Sequence, residues 1–329
     1  MKPVKWGILS TAKIGVEHLI PAIQKGENGS VYAIASRDVQ KAKDVADKMN
    51  IPVSYGSYEG LLEDDTIDVI YNALPNHLHV PWTIKAMEAG KHVLCEKPIA
   101  MNSSEAQLLL KRTRDFPDLK IMEAFMYRFH PQWKEVRSLI SKGEIGALES
   151  IHSVFTYYND DPENIRNWPH MGGGGLMDIG CYCISVSRFL YDTEPDRVSG
   201  ELDIDSENGV DRKASGILSF GDKTATFTCS TKIQSSQKVL VYGSGGIIEI
   251  DTPFNPHGDK GAQVHLLENG KRRTIETEAV DQYRLQVDAL NDSILNNTEV
   301  PTPLEDSVAN MKVIDAVFKS GEEGVKKLV

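Results

Sequence analysis

The chain has 329 residues, 40% of them hydrophobic and 25% charged, with a formal net charge of −11. That is the composition of a globular protein long enough for two domains, and its acidity excludes a surface built to grip a phosphate backbone, which needs clustered lysine and arginine. No apolar run approaches the ~20 residues of a membrane span, and the opening Met1-Lys-Pro-Val-Lys-Trp-Gly-Ile-Leu-Ser10 is too short and too soon polar for a signal peptide. Neither membrane nor nucleic acid is therefore expected as a partner, and the expected location is cytoplasmic. Cys95, Cys181, Cys183 and Cys229 form neither a CxxC pair nor a zinc spacing, which points to buried, reduced thiols and to no metal site.

Val4 to Leu9 is a short apolar run, followed by Ser10-Thr11-Ala12-Lys13-Ile14-Gly15 and a helical segment to about Lys25. Strand, small-residue turn and helix make the opening of a dinucleotide-binding βαβ unit, in which the helix N-terminus receives the pyrophosphate. Of G-x-G-x-x-G only the third glycine is kept, as Gly15; the small Ser10 and Ala12 stand in the first two places. Pro21 should kink the helix. The next strand, Val31 to Ser36, ends where such units hold the adenosine ribose. An acidic residue there would bond the 2′-hydroxyl of NAD, but the chain reads Ser36-Arg37, a hydroxyl and a guanidinium that suit a 2′-phosphate. NADP is expected in preference to NAD; an arginine that only caps the following helix is the alternative reading of Arg37.

Helices over 39–49 and 57–63, a strand over 68–73, a helix to 89, a strand over 92–95, a helix over 104–114 and a strand over 120–124 continue the alternation. Strands separated by helices of this length predict an α/β fold with a doubly wound, Rossmann-type parallel sheet and ligands at the strands' carboxyl ends. Leu74-Pro75-Asn76-His77-Leu78-His79 follows one such end and Glu96-Lys97-Pro98 another. Leu74, Asn76, His79, Glu96 and Lys97 thus join Ser10 to Ile14, Ser36 and Arg37 as candidates for the cofactor cleft. A lysine just past a buried strand can be partly desolvated and can lower the pKa of a neighbouring phenol; a solvated loop lysine is the alternative.

Gly172-Gly-Gly-Gly-Leu-Met-Asp178-Ile-Gly-Cys-Tyr182 is the stretch on which the chemistry is expected to centre. Glycine has no side chain to pack and loses the most backbone freedom on ordering, so the run is read as letting the chain come close to something. The apolar pattern that follows is helical. It puts Asp178 in or near a first turn, where acidic residues are favoured, and Tyr182 four residues on along the same face. A carboxylate and a phenol pointing the same way make an acid/base pair; an acidic first-turn residue beside a core tyrosine is the alternative.

From about Leu148 strands follow one another without intervening helices, over 149–157, 197–202, 213–220, 224–232, 238–242, 247–250 and 263–267, with Gly221-Asp222 as a hairpin signal. They predict an α+β domain around a large, mostly antiparallel open sheet. One face should pack on the Asp178 helix and on helices near 282–295 and 306–318. The expected domains are 1–123, binding the dinucleotide, and 124–329, binding substrate.

Glu96-Lys97-Pro98 together with Gly173-Gly-Gly-x-x-Met-Asp178-x-Gly-x-Tyr182 resembles the glucose-fructose oxidoreductase / inositol dehydrogenase / rhizopine-catabolism family of NAD(P)-dependent oxidoreductases. The resemblance runs nearly end to end through Glu123-Ala-Phe-Met-Tyr-Arg128-Phe-His130-Pro, Asn164-Ile-Arg166-Asn-Trp168 and Tyr283-Arg-Leu-Gln-Val-Asp-Ala-Leu. Tyrosine at 182, where many members carry histidine, is shared with the branch of NADP-dependent D-xylose dehydrogenases and dimeric dihydrodiol dehydrogenases. The resemblance implies that Lys97 and Tyr182 are catalytic, that Asp178 orients substrate or the acid/base group and that the Lys97-Pro98 bond is cis; Arg166 is a further candidate for the cofactor. A phenol with a pKa near ~10 is a poor base at neutral pH, and an ammonium beside it makes proton removal feasible.

Met126, Tyr127, Arg128, His130, Tyr158, Arg166 and Trp168 are the expected substrate wall. The free face of the sheet, with Ile217, Phe227 and Val239, is expected to pair in a homodimer. Because the chain begins directly at its first strand, without the arm by which the glucose-fructose enzyme grips its cofactor, exchangeable NADP is expected. The implied function is NADP-dependent oxidation of a sugar, an aldose at C1. The alternatives are a trans-dihydrodiol or inositol-type dehydrogenase and, in another class, a non-catalytic NADP-dependent sensor on the same fold.

Overall fold

Runs such as Val4–Leu9, too short for a helix and too continuously apolar to alternate, are strands covered on both faces. The computed structural model describes residues 2–329 and divides into two units, Met1–Met126 with Asp281–Val308, and Tyr127–Val280 with Ala309–Val329.

In the first unit β1 (Val4–Leu9), β2 (Gly29–Ala35), β3 (Val53–Tyr55), β4 (Val69–Asn72), β5 (His92–Cys95) and β6 (Ile121–Glu123) form one parallel sheet in the order 3-2-1-4-5-6. The order reverses between β1 and β4, which opens a crevice at their carboxyl ends. The expected kink at Pro21 takes the form of a widened turn. Over Gly15–Leu19 the helix is wound one residue looser, with the Ile20 N–H reaching back to the Gly15 carbonyl, and only then does α1 (Ile20–Lys25) begin. The looser winding makes room for a ring that would otherwise meet the preceding turn. α2 (Val39–Met49) is capped by the Asp38 side chain, which accepts from the Gln40 and Lys41 amides, and ends at left-handed Asn50. α3 (Tyr58–Leu62), α4 (His79–Glu88) and α5 (Ser103–Thr113) complete the winding.

One expected placement is corrected. The helix near 282–295, here Gln282–Asn296, belongs to the first unit, where it packs on α1, β1 and β2, and buried Trp6 donates its indole N–H to Asn291 Oδ1 at 3.0 Å. An amphipathic pattern shows that a helix covers something, not which sheet it covers. The chain expected to leave the first unit at 123 thus returns to it.

The second unit holds α6 (Pro131–Ser141), β7 (Leu148–Tyr158), α7 (Cys181–Tyr191) and then β8 (Arg197–Ile204), β9 (Asp211–Phe220), β10 (Lys223–Ser230), β11 (Lys232–Gly243), β12 (Ile247–Ile250), β13 (Gln263–Glu268), β14 (Lys271–Glu276) and β15 (Lys327–Leu328). These make a nine-stranded sheet in the order 14-13-12-11-7-10-9-8-15, antiparallel except where β7 pairs β10. Gly221-Asp222 joins β9 to β10 as a hairpin, Gly221 having φ +65°. α7 covers one face across β7 and β10, and the closing helix Leu304–Glu323 brings the Val317 carbonyl against Gly200, where a Cβ would come within 2.5 Å of it.

The expected apolar row on the free face is also corrected. Phe227 and Val239 are buried on the helix side; Phe227 fills the space left by its cross-strand neighbour Gly216, and only Ile217, 48% exposed, stands on the free face. The four cysteines are buried and unpaired with one another. Among the described residues no helix is long and apolar enough to cross a membrane.

Candidate active site

In the first unit the candidate residues gather at the crevice between β1 and β4. Ser10, in the first glycine place, adopts φ +79°, a conformation that costs an L-residue strain. Its hydroxyl donates to the Ala73 carbonyl at 3.3 Å and accepts the Ala12 amide at 3.2 Å, tying the turn after β1 to the end of β4. The surviving Gly15 is buried where the helix meets the sheet, and a Cβ there would stand in ordinary contact with the Tyr71 ring, 3.4 Å away. Thr11, Ala12 and Ile14 are half-buried and Lys13 is exposed at the turn.

At the end of β2, Ser36 is buried and its hydroxyl accepts the Asp38 amide at 3.2 Å. Arg37 is exposed, and burial raises the pKa of the Tyr58 phenol while the Arg37 charge draws it down. Asp38, the nearest acid, is committed to capping α2 through Oδ1. The available charge at this edge is a guanidinium, so the residues fit a phosphorylated ribose better than a free 2′-hydroxyl.

The loops after β4 and β5 are tied together from below. Buried His79 sets Nδ1 2.7 Å from the Pro98 carbonyl and Nε2 2.7 Å from the Leu74 carbonyl. Burial pushes its pKa down to about 4 against the pull of those carbonyls. The ring's polar atoms are spent on the loops, which corrects the expectation that His79 binds cofactor: it shapes the loops carrying Leu74, Asn76 and Lys97. Buried Asn72 adds a second tie, donating to the His79 carbonyl and accepting the Leu74 amide. Tyr71 donates to Glu96 Oε1 at 2.6 Å, and Glu123 accepts the Ile99 amide at 2.8 Å. The Lys97-Pro98 peptide is cis, and Lys97 is half-buried.

In the second unit Asp178 lies in a widened helical turn, Leu176–Gly180, that leads into α7. Its Oδ2 accepts the Tyr157 hydroxyl at 2.5 Å and pairs with Arg166 Nε at 2.8 Å. Burial, followed by the Asp178 charge, pushes the Tyr157 phenol well above its ordinary value, so it stays a donor. Arg166, expected at the cofactor, is thus seen holding the carboxylate. Tyr182, one turn on, is 4% exposed, its ring set among Tyr127, Phe155 and Phe254 at centroid distances of 5.8, 5.6 and 5.3 Å. The two readings of this tyrosine are compatible: its ring belongs to the core and its hydroxyl is the polar end of that cluster.

The glycine run is explained by the protein itself. A Cβ on Gly173 would lie 2.4 Å from the Arg166 carbonyl, and one on Gly174, whose φ is +106°, 2.0 Å from Asp211 Oδ1. What these two glycines let the chain approach is its own backbone and a buried carboxylate.

Of the expected substrate wall, His130 is corrected: it is 0% exposed and caps α6, Nδ1 accepting the Gln132 amide at 3.2 Å. Tyr127 is buried and bonds Ser185, as does Arg128 Nη2 at 2.9 Å, with its guanidinium over Phe189. Trp168 is 42% exposed and donates to the Pro162 carbonyl. Tyr158 is exposed on the other face from Tyr157. The signal for Tyr157 was present in the period-two alternation: Ile151, Ser153 and Phe155 point inward along β7, and the next residue of that parity is 157. Asp211 carried no such signal, because its role depends on where β9 begins relative to a helix far away in sequence.

The family models for "Oxidoreductase family, NAD-binding Rossmann fold" and "GFO/IDH/MocA C-terminal domain" match residues 4–117 and 133–249. The chain is 38% identical to D-xylose 1-dehydrogenase (NADP(+)) 2 of Haloferax volcanii over 97% of its length and 98% of the relative's. It is 35% identical to trans-1,2-dihydrobenzene-1,2-diol dehydrogenase of Xenopus tropicalis over 83% and 81%. The crystal structure of a 3-ketoreductase from Actinomadura kijaniata in complex with NADP and TDP-benzene superposes with a TM-score of 0.93 at 28% identity, covering 97% of this chain and 98% of that one. Relatives aligned over most of their own length, and a matching model for each half, place the chain in the GFO/IDH/MocA family of oxidoreductases.

Proposed function

We propose that the chain is an NADP-dependent dehydrogenase that oxidises an aldose at its anomeric carbon, with Tyr182 as acid/base group, Lys97 as a second catalytic residue and Asp178 orienting the substrate. The arrangement that carries this reading is the carboxylate held by Tyr157 and Arg166 one helical turn before a tyrosine whose ring is locked in an aromatic cluster. Bound nicotinamide supplies the hydride acceptor. The chain's own part is geometry and proton handling. Ring packing fixes where the Tyr182 hydroxyl can stand, and the Arg166 guanidinium and Tyr157 hydroxyl hold Asp178 in place to accept from a sugar hydroxyl.

NADP is favoured by Arg37 and by the loss of Asp38 to a helix cap. Arg37→Ala is expected to raise KM for NADP by roughly tenfold, the worth of one charge-assisted contact, and to leave KM for NAD unchanged. Steady-state kinetics with both cofactors check this. An aldose is favoured by the xylose-oxidising relative, and a trans-dihydrodiol by the second relative. Absorbance of reduced nicotinamide, followed with NADP and NAD against aldoses, inositols and trans-dihydrodiols, tests the assignment. Turnover with an aldose is expected; turnover only with a diol moves the substrate class, and NADP binding without any turnover favours the sensor. We further propose a homodimer through the free sheet face, where His152, Val154, Ser199, Ile217, Thr226 and Thr228 line a shallow cleft of about 490 Å³. Light scattering showing a monomer removes that proposal.

A further inference from the structure

The first N–H groups of a helix have no partner inside it and need one from elsewhere. The helix that carries Asp178 and Tyr182 starts at Gly175, which has no side chain to offer. Its cap comes from another strand. Asp211, at the start of β9 and 3% exposed, accepts the Leu176 amide on Oδ2 at 2.6 Å.

The same turn is held from its other side by the Arg166 backbone. Gly174 N donates to the Arg166 carbonyl at 2.8 Å, and Gly173 packs directly against that peptide. Arg166 in turn pairs with Asp178 through its side chain. The helix start is thus clamped between a carboxylate and a loop, and each side of the clamp reaches the Asp178 cluster. Burial lifts the Asp211 carboxyl up to about 7; the amides of Leu176, of Asp211 itself and of Gly175 oppose the rise and the neighbouring Asp178 adds to it. A carboxylate kept in so costly a place needs a compensating task, and anchoring amides at the positive end of a helix is one.

We propose that Asp211 is a positioning residue for the reaction: by clamping the Gly174–Leu176 turn it sets where Asp178 and Tyr182 stand. Its consequence for turnover rests on the dehydrogenase reading above; its consequence for the place of Tyr182 does not.

The experiment incorporates 3-fluorotyrosine at position 182 of the full chain and compares wild type, Asp211→Ala and Asp211→Asn by ¹⁹F NMR, by circular dichroism and by kinetics with NADP. Asp211→Ala is expected to stay folded, to displace or split the fluorine resonance and to lower kcat by roughly 10–100-fold, with the NADP Kd unchanged. Asp211→Asn, which keeps an acceptor of the same shape, is expected to restore the resonance and most of kcat. A folded Asp211→Ala with the wild-type resonance and wild-type kcat overturns the proposal. Should that variant not fold, amide exchange in Asp211→Asn decides: Leu176 N–H is expected to exchange about tenfold faster on a weaker, neutral acceptor, and unchanged exchange overturns the proposal. A wild type that turns over no substrate, with its resonance still displaced in Asp211→Ala, keeps Asp211 in this role and removes the dehydrogenase reading instead.

Discussion

Tyr182→Phe is expected to lower kcat by roughly 10²–10⁴-fold, the usual worth of a positioned acid/base group, while folding and NADP binding are kept. The separation follows from where the ring sits. Tyr127, Phe155 and Phe254 surround it at 5.3–5.8 Å between centroids, and phenylalanine keeps every one of those contacts. Only the hydroxyl is lost, for a stability change of about 1 kcal/mol. Tyr182→Ala is the contrasting case: it removes the hydroxyl and a buried ring together, costing about 3–5 kcal/mol, so its inactivity would not separate chemistry from folding. The measurement is reduced-nicotinamide absorbance with the preferred substrate, alongside a thermal melt. A Tyr182→Phe enzyme that melts like wild type and keeps a tenth or more of its turnover would assign the proton transfer to another group. Lys97→Met is expected to lose turnover to a similar degree.

How much of this was legible beforehand depended on the range of the interaction. The Rossmann sheet was read in full apart from its three-residue strand Val53–Tyr55, because buried parallel strands and the helices between them announce themselves locally. The Asp178–Tyr182 spacing and the hairpin at Gly221-Asp222 were local too. Position 157 was missed in favour of 158, although the parity of one strand contains the answer. The partners of the glycine run were out of reach. Gly173 is required by a carbonyl seven residues back and Gly174 by a carboxylate in another strand, and neither contact leaves a periodic mark. His79 and His130 misled in related ways: a histidine beside a functional loop has the same letter whether it faces a ligand or, as here, ties both ring nitrogens to loop carbonyls at His79 and caps a helix through Nδ1 at His130. The helix Gln282–Asn296 returns to the first unit because its buried face, with Val287 and Leu290, matches that sheet, a complementarity no single segment displays.

Gly174→Ala is expected to destabilise the chain by about 3–6 kcal/mol from backbone strain and overpacking together. The φ of +106° lies where L-residues rarely go, and the new Cβ would stand 2.0 Å from Asp211 Oδ1 and 3.0 Å from its Cγ. The carboxylate cannot swing aside without releasing the Leu176 amide. Gly90 and Gly143 provide the control. Each has positive φ, +73° and +72°, but nothing within 4 Å of where a Cβ would be, so alanine there carries the backbone cost alone, about 1–2 kcal/mol. Chemical denaturation of the three variants ranks them. Repeating Gly174→Ala in an Asp211→Ala background then separates its two terms. The crowding disappears with the carboxylate and the strain remains, so the second substitution should cost less by about 1–3 kcal/mol than it does in wild type. An equal cost in both backgrounds would mean that Gly174 is required for its backbone conformation alone, and that the tightness against Asp211 is not what selects glycine there.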